Sequence, residues 1–248
     1  MILLIDIGNT RIKWKFYSEE DESEASGFIY EAVNLISNLN KVFNSSESHV
    51  SRVYISNVAG DEIKSKIYQW VADRFGIEPL FAVSSSEKCG LISAYTPADS
   101  LGVDRFLAMI GAKLLNDQPK VVVDCGTATT VDCINMNNEF IGGLILPGVG
   151  LMRKSLSSGA SALEILADDK NIDYFSTDTA SAILSGTVLS TSGVIENAVS
   201  QLTLNCGADV SCIITGGDGN FIRSHLEIEA EYHPDLVLKG LSEYFRAE

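Results

Sequence analysis

The sequence predicts an α/β protein built from two similar lobes, each a mixed β-sheet flanked by helices. Two apolar runs carry this prediction: residues 2–5 lead into the segment DIGNT (6–10), and residues 121–123 lead into the related segment DCGT (124–127). After each run the chain continues with strand-like segments and then with helix-like and strand-like segments. A sheet with apolar faces is covered by helices, so this alternation favours a layered α/β arrangement in each lobe.

In the first half, strands are predicted at 2–5, 12–17, 26–30, 50–56 and 79–83, where residues are apolar or alternate with polar ones. Helices are predicted up to about residue 44, at 61–75 and at 101–115, where apolar residues recur at helical spacing. The segment NDQP (116–119) is typical of a link. We therefore place the lobes at 1–116 and 117–248.

The second half repeats the scheme. Strands are predicted at 121–123, 131–135, 140–146 and 212–215, a long helix at about 177–204, and a helix at the C-terminus. The two halves share no fixed short period, which indicates a duplicated domain rather than a solenoid.

Composition excludes several classes of function. The formal net charge of −15 repels nucleic acid phosphates and anionic lipids, so we expect neither as a partner. The five cysteines include no CxxC pair and the three histidines are scattered, which favours reduced thiols over a zinc site or disulfides. The N-terminus has an acidic residue at position 6 and no preceding basic region, unlike a signal peptide. The longest apolar stretch, 140–152, is shorter than the roughly 20 residues of a membrane-spanning helix. A soluble, cytoplasmic protein is expected.

The segments that follow the two apolar runs are suited to binding phosphate. Gly8 lets the backbone approach a phosphate, Asn9 and Thr10 add small donors, and Asp6 is placed to hold a hydrated magnesium ion. The alternative for DIGNT alone is an ordinary hairpin turn. Its repetition as DCGT favours a phosphate site, because ligands of such sheets bind at the carboxyl ends of strands. Two facing halves would then form a cleft with one turn on each wall.

A third segment, TGGDG (215–219), follows a predicted strand. Its glycines leave room for an adenine or ribose, and the alternative is a flexible loop. No GxxxxGK[ST] motif occurs, and no GxGxxG follows the first strand, so P-loop and Rossmann folds are not favoured. From the residues alone, Lys13 and Lys15 are interpreted as surface charges of a strand rather than as phosphate ligands.

The segment YTPADSLGVDR (95–105) precedes the helix predicted at 101–115. Asp104 next to Arg105 suits transfer of a phosphoryl group to an alcohol, since the carboxylate accepts the hydroxyl proton and the guanidinium binds a polar substrate group. The alternative is that Asp104 caps the helix N-terminus. The two roles are compatible.

These motifs in order resemble the type III pantothenate kinases, a family of the actin-like kinase superfamily. The matching pattern is DIGNTxxK, YxPxxxLGxDR, DCGTATTxD, GGxIxPG, DTxxAIxxG and TGGDG, and it extends from residue 6 to about 219. The resemblance implies two ribonuclease H-like (actin-like) lobes with a nucleotide cleft between them. It also implies ATP-dependent phosphorylation of pantothenate to 4′-phosphopantothenate, the first step of coenzyme A biosynthesis.

The resemblance further implies a role for each matching residue. Asp104 would be the proton acceptor, Asp124 the ligand of a monovalent cation (K⁺ or NH₄⁺), and Asp6 the residue nearest the Mg²⁺ that accompanies ATP. The implied ATP contacts are Asp6, Ile7, Gly8, Asn9, Thr10, Arg11, Ile12, Lys13 and Thr127. The implied pantothenate contacts are Tyr95, Gly102, Val103, Asp104, Arg105 and, across a homodimer interface, Thr179. The segment 156–166 follows the family pattern more loosely, because it lacks the usual proline.

Two alternatives stay open at this point. One is another enzyme of the same superfamily, such as a sugar kinase or a phosphatase acting on polyphosphate. The other is a protein without enzymatic activity that acts as an accessory factor in gene regulation. The presence of Asp6, Asp104 and Asp124 together favours the enzyme.

Overall fold

A computed structural model of the chain describes residues 1–18, 23–43, 50–159 and 172–247. Of the loosely matching segment 156–166, residues 160–166 lie outside these ranges. The chain divides into two compact units, the first formed by Met1–Leu115 with Asp235–Glu248 and the second by Asn116–Pro234. No helix in the described ranges is both long enough and apolar enough to span a membrane.

The first unit contains a five-stranded sheet in the order β3-β2-β1-β4-β5. Its elements in chain order are β1 (Ile2–Ile7), β2 (Arg11–Tyr17), β3 (Ser26–Ile29), α1 (Leu35–Val42), β4 (Arg52–Asn57), α2 (Asp61–Phe75), β5 (Leu80–Phe81), β6 (Glu87–Lys88), β7 (Leu91–Ser93) and α3 (Val103–Lys113). The central strand β1 pairs antiparallel with β2 and parallel with β4.

Alternation along β1 assigns its side chains to two faces. Leu3, Ile5 and Ile7 belong to one buried cluster, which includes Ile63 and Trp70 of α2. Because successive side chains of a strand point to opposite faces, Leu4 and Asp6 lie on the other face. The apolar run that predicted β1 therefore supplies both the core and the carboxylate at its end.

The second unit repeats this topology, and its own strands lie in the order β12-β11-β8-β9-β10 within a seven-stranded sheet. Its elements are β8 (Lys120–Cys125), β9 (Ala128–Ile134), β10 (Glu139–Pro147), α4 (Val149–Gly159), α5 (Thr179–Cys206), β11 (Ser211–Thr215), α6 (Gly219–Arg223) and β12 (Glu231–Tyr232). Here β8 is central, antiparallel to β9 and parallel to β11. Val121, Val123 and Cys125 face a core formed with α5. The predicted duplication of an α/β scheme is confirmed.

The other face of the first sheet is covered by α3 and the C-terminal helix α7 (Leu236–Arg246). Tyr54 of β4 stacks on Phe245, with ring centroids 4.1 Å apart, and Lys15 of β2 donates to the Asp235 carboxylate at 3.1 Å. The interpretation of Lys15 as a surface charge is therefore wrong, because its side chain is buried in an ion pair.

The C-terminal segment 235–248 also differs from the sequence-based division, which assigned it to the second lobe. It packs in the first unit because α7 and α3 approach each other very closely. Two glycines make this possible. A Cβ atom on Gly111 would overlap the Leu236 carbonyl, and one on Gly240 would overlap the Leu107 carbonyl.

We expect Gly240→Ala to destabilise the protein, because the new methyl group would overlap the backbone of α3. Neither helix can move away without losing packing contacts. A loss of about 2–3 kcal/mol in the free energy of unfolding is typical of such overpacking. Urea unfolding measures it. Gly193→Ala is the matched control, since a Cβ there meets no other atom within 4 Å and alanine favours a helix over glycine. Equal stability of the two variants would contradict the close helix contact.

Candidate active site

The turn after β1 is fixed by hydrogen bonds at both ends. The Gly8 N–H donates to the Arg11 carbonyl at 3.0 Å, which closes the turn between β1 and β2. Tyr30 follows β3, and its hydroxyl donates to the Gly8 carbonyl at 2.8 Å while its N–H donates to the Thr10 carbonyl at 3.0 Å. No motif around Tyr30 indicated this role, which depends on the pairing of β2 with β3.

The predicted ATP contacts of this turn fall into two groups. Asn9, Thr10 and Arg11 are exposed, whereas the side chains of Ile7 and Ile12 are fully buried in the core at 0% exposure. The two isoleucines can therefore offer a ligand only their backbone. Lys13 is the register partner of Asp6 across the antiparallel pair, so the two side chains lie on the same face.

The turn after β8 has the same position in the second unit. The Gly126 N–H donates to the Ala128 carbonyl at 3.0 Å, and the Gly148 N–H donates to the Thr127 carbonyl at 3.0 Å. A Cβ on Gly148 would overlap the Gly126 carbonyl, so this glycine lets the junction of β10 and α4 lie against the turn. Thr127 is exposed at its tip and Asp124 is half-buried at its base.

The two turns differ in length by one residue. Asp6 pairs with Lys13, which leaves the six residues 7–12 between them. Asp124 pairs with Thr130, which leaves the five residues 125–129. The strand ends are equivalent, but the loops that they carry are not.

The glycine-rich segment after β11 packs against Asp124. Gly216 has a φ of +94°, which side chains rarely adopt, and a Cβ there would lie 2.5 Å from an Asp124 carboxylate oxygen. The Asp218 N–H donates to the Cys125 carbonyl at 3.0 Å, and the Tyr232 hydroxyl donates to the Gly216 carbonyl at 3.0 Å. The segment is therefore a fixed turn between β11 and α6.

Asp104 lies in the first turn of α3, and the N-cap residue of this helix is Gly102. The Asp104 carboxylate accepts a hydrogen bond from the Arg105 N–H at 2.8 Å, so it binds a first-turn donor without being the N-cap. Burial raises the pKa of Asp104, and the Arg105 N–H and guanidinium offset only part of that rise. A carboxylate with a raised pKa is a stronger proton acceptor than an ordinary aspartate.

The predicted substrate segment assembles around Arg105. This residue is 7% exposed, donates to the Tyr95 hydroxyl oxygen at 3.1 Å, and holds its guanidinium carbon 5.6 Å from the centroid of the Tyr95 ring. Gly102 contributes space, because a Cβ there would lie 2.7 Å from the Asp104 carboxylate. Val103 is buried, so its side chain helps to anchor the start of α3.

Asp104 and Asp6 belong to the same side of the first sheet. The helices α3 and α7 pack on the face that carries Tyr54 and Lys15, as the contacts of α7 with these residues show. Asp6 is on that face, because its register partner Lys13 lies two residues before Lys15 on the same strand. The first unit thus assembles the predicted acceptor and the first carboxylate on one side.

Thr179 lies in the second unit as the first residue of α5. The Asp178 carboxylate caps this helix by accepting from the Ser181 N–H at 2.9 Å. Thr179 is exposed and lines an open groove of about 760 Å³ between α4 and α5. Its predicted contact with pantothenate stays a prediction.

The oxygen-rich surroundings of Asp6 and Asp124 fit hard cations, which take carboxylate, hydroxyl and carbonyl oxygens as ligands. The described part of the chain contains no group of three or more His, Cys, Asp or Glu that could hold a metal ion. The structure has all five cysteines as free thiols. Burial raises the pKa of Cys133 to about 11 and that of Cys212 to about 12.

We expect Asp104→Asn to stabilise the protein at pH 7. Since the folded-state pKa of Asp104 is raised, the wild type loses stability as the pH rises from the unfolded-state pKa through the folded-state pKa. The amide keeps the acceptor for the Arg105 N–H but carries no charge. Its advantage should be smallest at acidic pH, below the unfolded-state pKa of aspartate, and should grow as the pH rises through the folded-state pKa, as thermal unfolding at a series of pH values would record. A lower midpoint for the variant at pH 7 would contradict the assigned burial cost.

Comparison with known proteins gives the family. The family model described as type III pantothenate kinase matches residues 2–201. A type III pantothenate kinase of Janthinobacterium sp. is 36% identical over 97% of this chain and 96% of its own length, and one of Herminiimonas arsenicoxydans is 35% identical at the same coverage.

Solved structures give the fold. A protein of Campylobacter jejuni described as a Baf family transcriptional activator superposes with a TM-score of 0.64 at 22% identity, covering 98% of this chain and 97% of that one. A glucokinase from an Antarctic psychrotroph superposes with a TM-score of 0.51 at 12% identity, covering 100% and 99%. Both likenesses are at the level of the actin-like fold. The match of the family model, together with relatives above 30% identity along nearly the whole chain, shows that this chain belongs to the type III pantothenate kinase family.

Proposed function

We propose that this kinase transfers the γ-phosphoryl group of ATP to the terminal hydroxyl of pantothenate, with Asp104 as the proton acceptor. Phosphorylation of pantothenate in coenzyme A biosynthesis follows from membership of the family. The observation that supports the role of Asp104 is its carboxylate of raised pKa in the first turn of α3, on the side of the sheet that carries Asp6.

Asp104 would orient the hydroxyl and take its proton as the oxygen attacks. A proton acceptor of this kind contributes to phosphoryl transfer mainly by positioning the nucleophile, because the transition state is loose. The hydrogen bond from the Arg105 N–H holds one carboxylate oxygen and leaves the second for the substrate. The contact of the buried Arg105 with the half-buried Tyr95 would form the adjoining wall of the substrate site.

The backbone of the two turns would hold the phosphates. The turns that contain Gly8 and Gly126 both follow a central strand. The Tyr30 hydroxyl fixes the first turn by a hydrogen bond, and the Gly148 N–H fixes the second. Magnesium bound with ATP would offset phosphate charge near Asp6, and a monovalent cation (K⁺ or NH₄⁺) would do so near Asp124. Fixed donors and cations act by position and charge, which carry most of the rate in such reactions.

Two further parts of the proposal, the Thr179 contact and the homodimer, derive from the resemblance to the family, and a third, the cytoplasmic location, derives from the sequence composition. Thr179 would contact pantothenate from the other subunit of a homodimer, and its exposed position at the start of α5 is compatible with that role. The cytoplasm would be the site of the reaction. The dimer is tested by measuring the mass in solution at catalytic concentrations.

We expect Asp104→Asn to lower kcat for pantothenate about 10²- to 10⁴-fold, the range for loss of a proton acceptor. A coupled assay of ADP release, with and without pantothenate, measures this effect. Asp99→Asn is the control, because Asp99 is exposed on the 3₁₀ turn just before α3 and should behave as wild type. Near-normal turnover by Asp104→Asn would refute the role of Asp104, and turnover with sugars but not pantothenate would refute the substrate.

We expect the wild type to be several-fold more active in KCl than in NaCl of equal ionic strength, and Asp124→Asn to lose this difference. The reason is that a carboxylate beside the phosphates binds a weakly hydrated cation by charge as well as by ligation. Initial rates in the two salts at saturating magnesium measure this difference in activity. Equal wild-type rates in the two salts would contradict a cation role for Asp124.

A further inference from the structure

Two hydroxyl residues occupy equivalent positions in the two units. Ser56 of β4 is the register partner of Asp6 on β1, and Thr215 of β11 is the register partner of Asp124 on β8. Both pairs are parallel, and partners in neighbouring strands point to the same face of a sheet. Each carboxylate at a strand end therefore has a hydroxyl beside it on the neighbouring parallel strand.

Both hydroxyls are buried. Ser56 is 0% exposed and Thr215 is 1% exposed, and neither side-chain oxygen has a hydrogen-bond partner among the described residues. A buried polar atom without a partner costs free energy, and such atoms in native proteins usually serve water, an ion or a ligand. Because this free-energy cost occurs at two equivalent positions, a common function of the two hydroxyls is favoured.

Other buried hydroxyls in the same condition do not share this arrangement. Thr129 lies next to Thr130 on β9, so its side chain points to the face opposite that of Asp124. Ser192 is in α5 and Ser84 follows β5, and neither is a register partner of an acid. Only the Ser56 and Thr215 positions are related by the duplication.

A hydroxyl beside a carboxylate has a defined chemistry. Its oxygen can ligate a hard cation or accept a hydrogen bond from a water molecule of the cation's shell. Such a pair offers two oxygens to one cation and carries one negative charge. On the antiparallel side, the register partner of Asp6 is Lys13 and that of Asp124 is Thr130. The two positions therefore differ in this third residue.

We propose that Ser56 and Thr215 are cation-positioning residues, each of which holds, with Asp6 or Asp124, the cation or the cation's water ligands that accompany the nucleotide. This inference rests on the proposed function in its use of ATP with magnesium and a monovalent cation. It adds to that proposal a second oxygen at each cation and a reason why the hydroxyls are buried beside the acids.

Thermal unfolding with increasing KCl, at ionic strength held constant with NaCl, tests Thr215 in the presence of MgADP. Thr215→Val keeps the shape and removes the hydroxyl, and we expect the K⁺ concentration for half-maximal stabilisation to rise about tenfold, the size expected for loss of one ligand oxygen. Thr215→Ser should restore the wild-type value. Ser192→Ala, which also removes a buried hydroxyl of the second unit, should leave it unchanged.

Calorimetry tests Ser56. For Ser56→Ala we expect the dissociation constant of MgADP to rise about tenfold and that of ADP in EDTA to stay the same, because the lost oxygen serves the cation. Ser84→Ala is the control in the first unit. Without ligands, Thr215→Val and Ser56→Ala should be as stable as wild type or more so, since removal of a hydroxyl with no partner costs little.

Unchanged K⁺ and MgADP dependence in Thr215→Val and Ser56→Ala would overturn the proposal. A loss of ligand-free stability with unchanged cation dependence would also overturn it, because the hydroxyls would then be structural. These measurements need no pantothenate. If wild type binds MgADP as expected but does not phosphorylate pantothenate, the proposed function fails while this inference stands.

Discussion

The register of the central strands is the constraint on which the site depends. In each unit one strand pairs antiparallel on one side and parallel on the other. It ends with an acid and an apolar residue, and a glycine follows it. Because side chains alternate, the apolar residue enters the core while the acid faces the opposite side. A shift of one residue would exchange the two, so the core that holds β1 and β8 in register also aims Asp6 and Asp124.

In the first unit, a buried charge is stabilised by a specific partner of opposite charge. Lys15 is paired with Asp235, and the pKa of Asp235 is lowered, despite the opposing effect of its own burial, by the hydrogen bond from Lys15 and the charges of Lys239 and Lys15. Asp104 is treated differently, because desolvation outweighs its favourable contacts and leaves the carboxylate receptive to a proton. One partly buried acid therefore secures the helix α7, and the raised pKa of the other supports its proposed role as proton acceptor.

Local pattern was enough to predict most of the strands and the turns after β1 and β8, because both depend on residues close in sequence. It could not assign α7 to the first unit, since an amphipathic helix does not specify which sheet it covers. It also missed β6 and β7, which are two and three residues long, too short for a periodicity to show. The burial of Lys15 was not predicted, because the alternation in β2 indicates that the strand has two different faces but does not indicate which face is exposed to solvent. Tyr30, Ser56 and Thr215 were missed because their roles arise from pairing between distant strands.

The central claim of the proposed function is that Asp6 and Asp124, which are equivalent in position in their own units, would hold different cations. Its most direct test is calorimetric titration of ADP into Asp6→Asn and Asp124→Asn, each with magnesium varied at fixed K⁺ and with K⁺ varied at fixed magnesium. The account predicts that Asp6→Asn loses mainly the magnesium dependence of ADP affinity and Asp124→Asn mainly the K⁺ dependence. Wild-type dependence on both cations in both variants would contradict it.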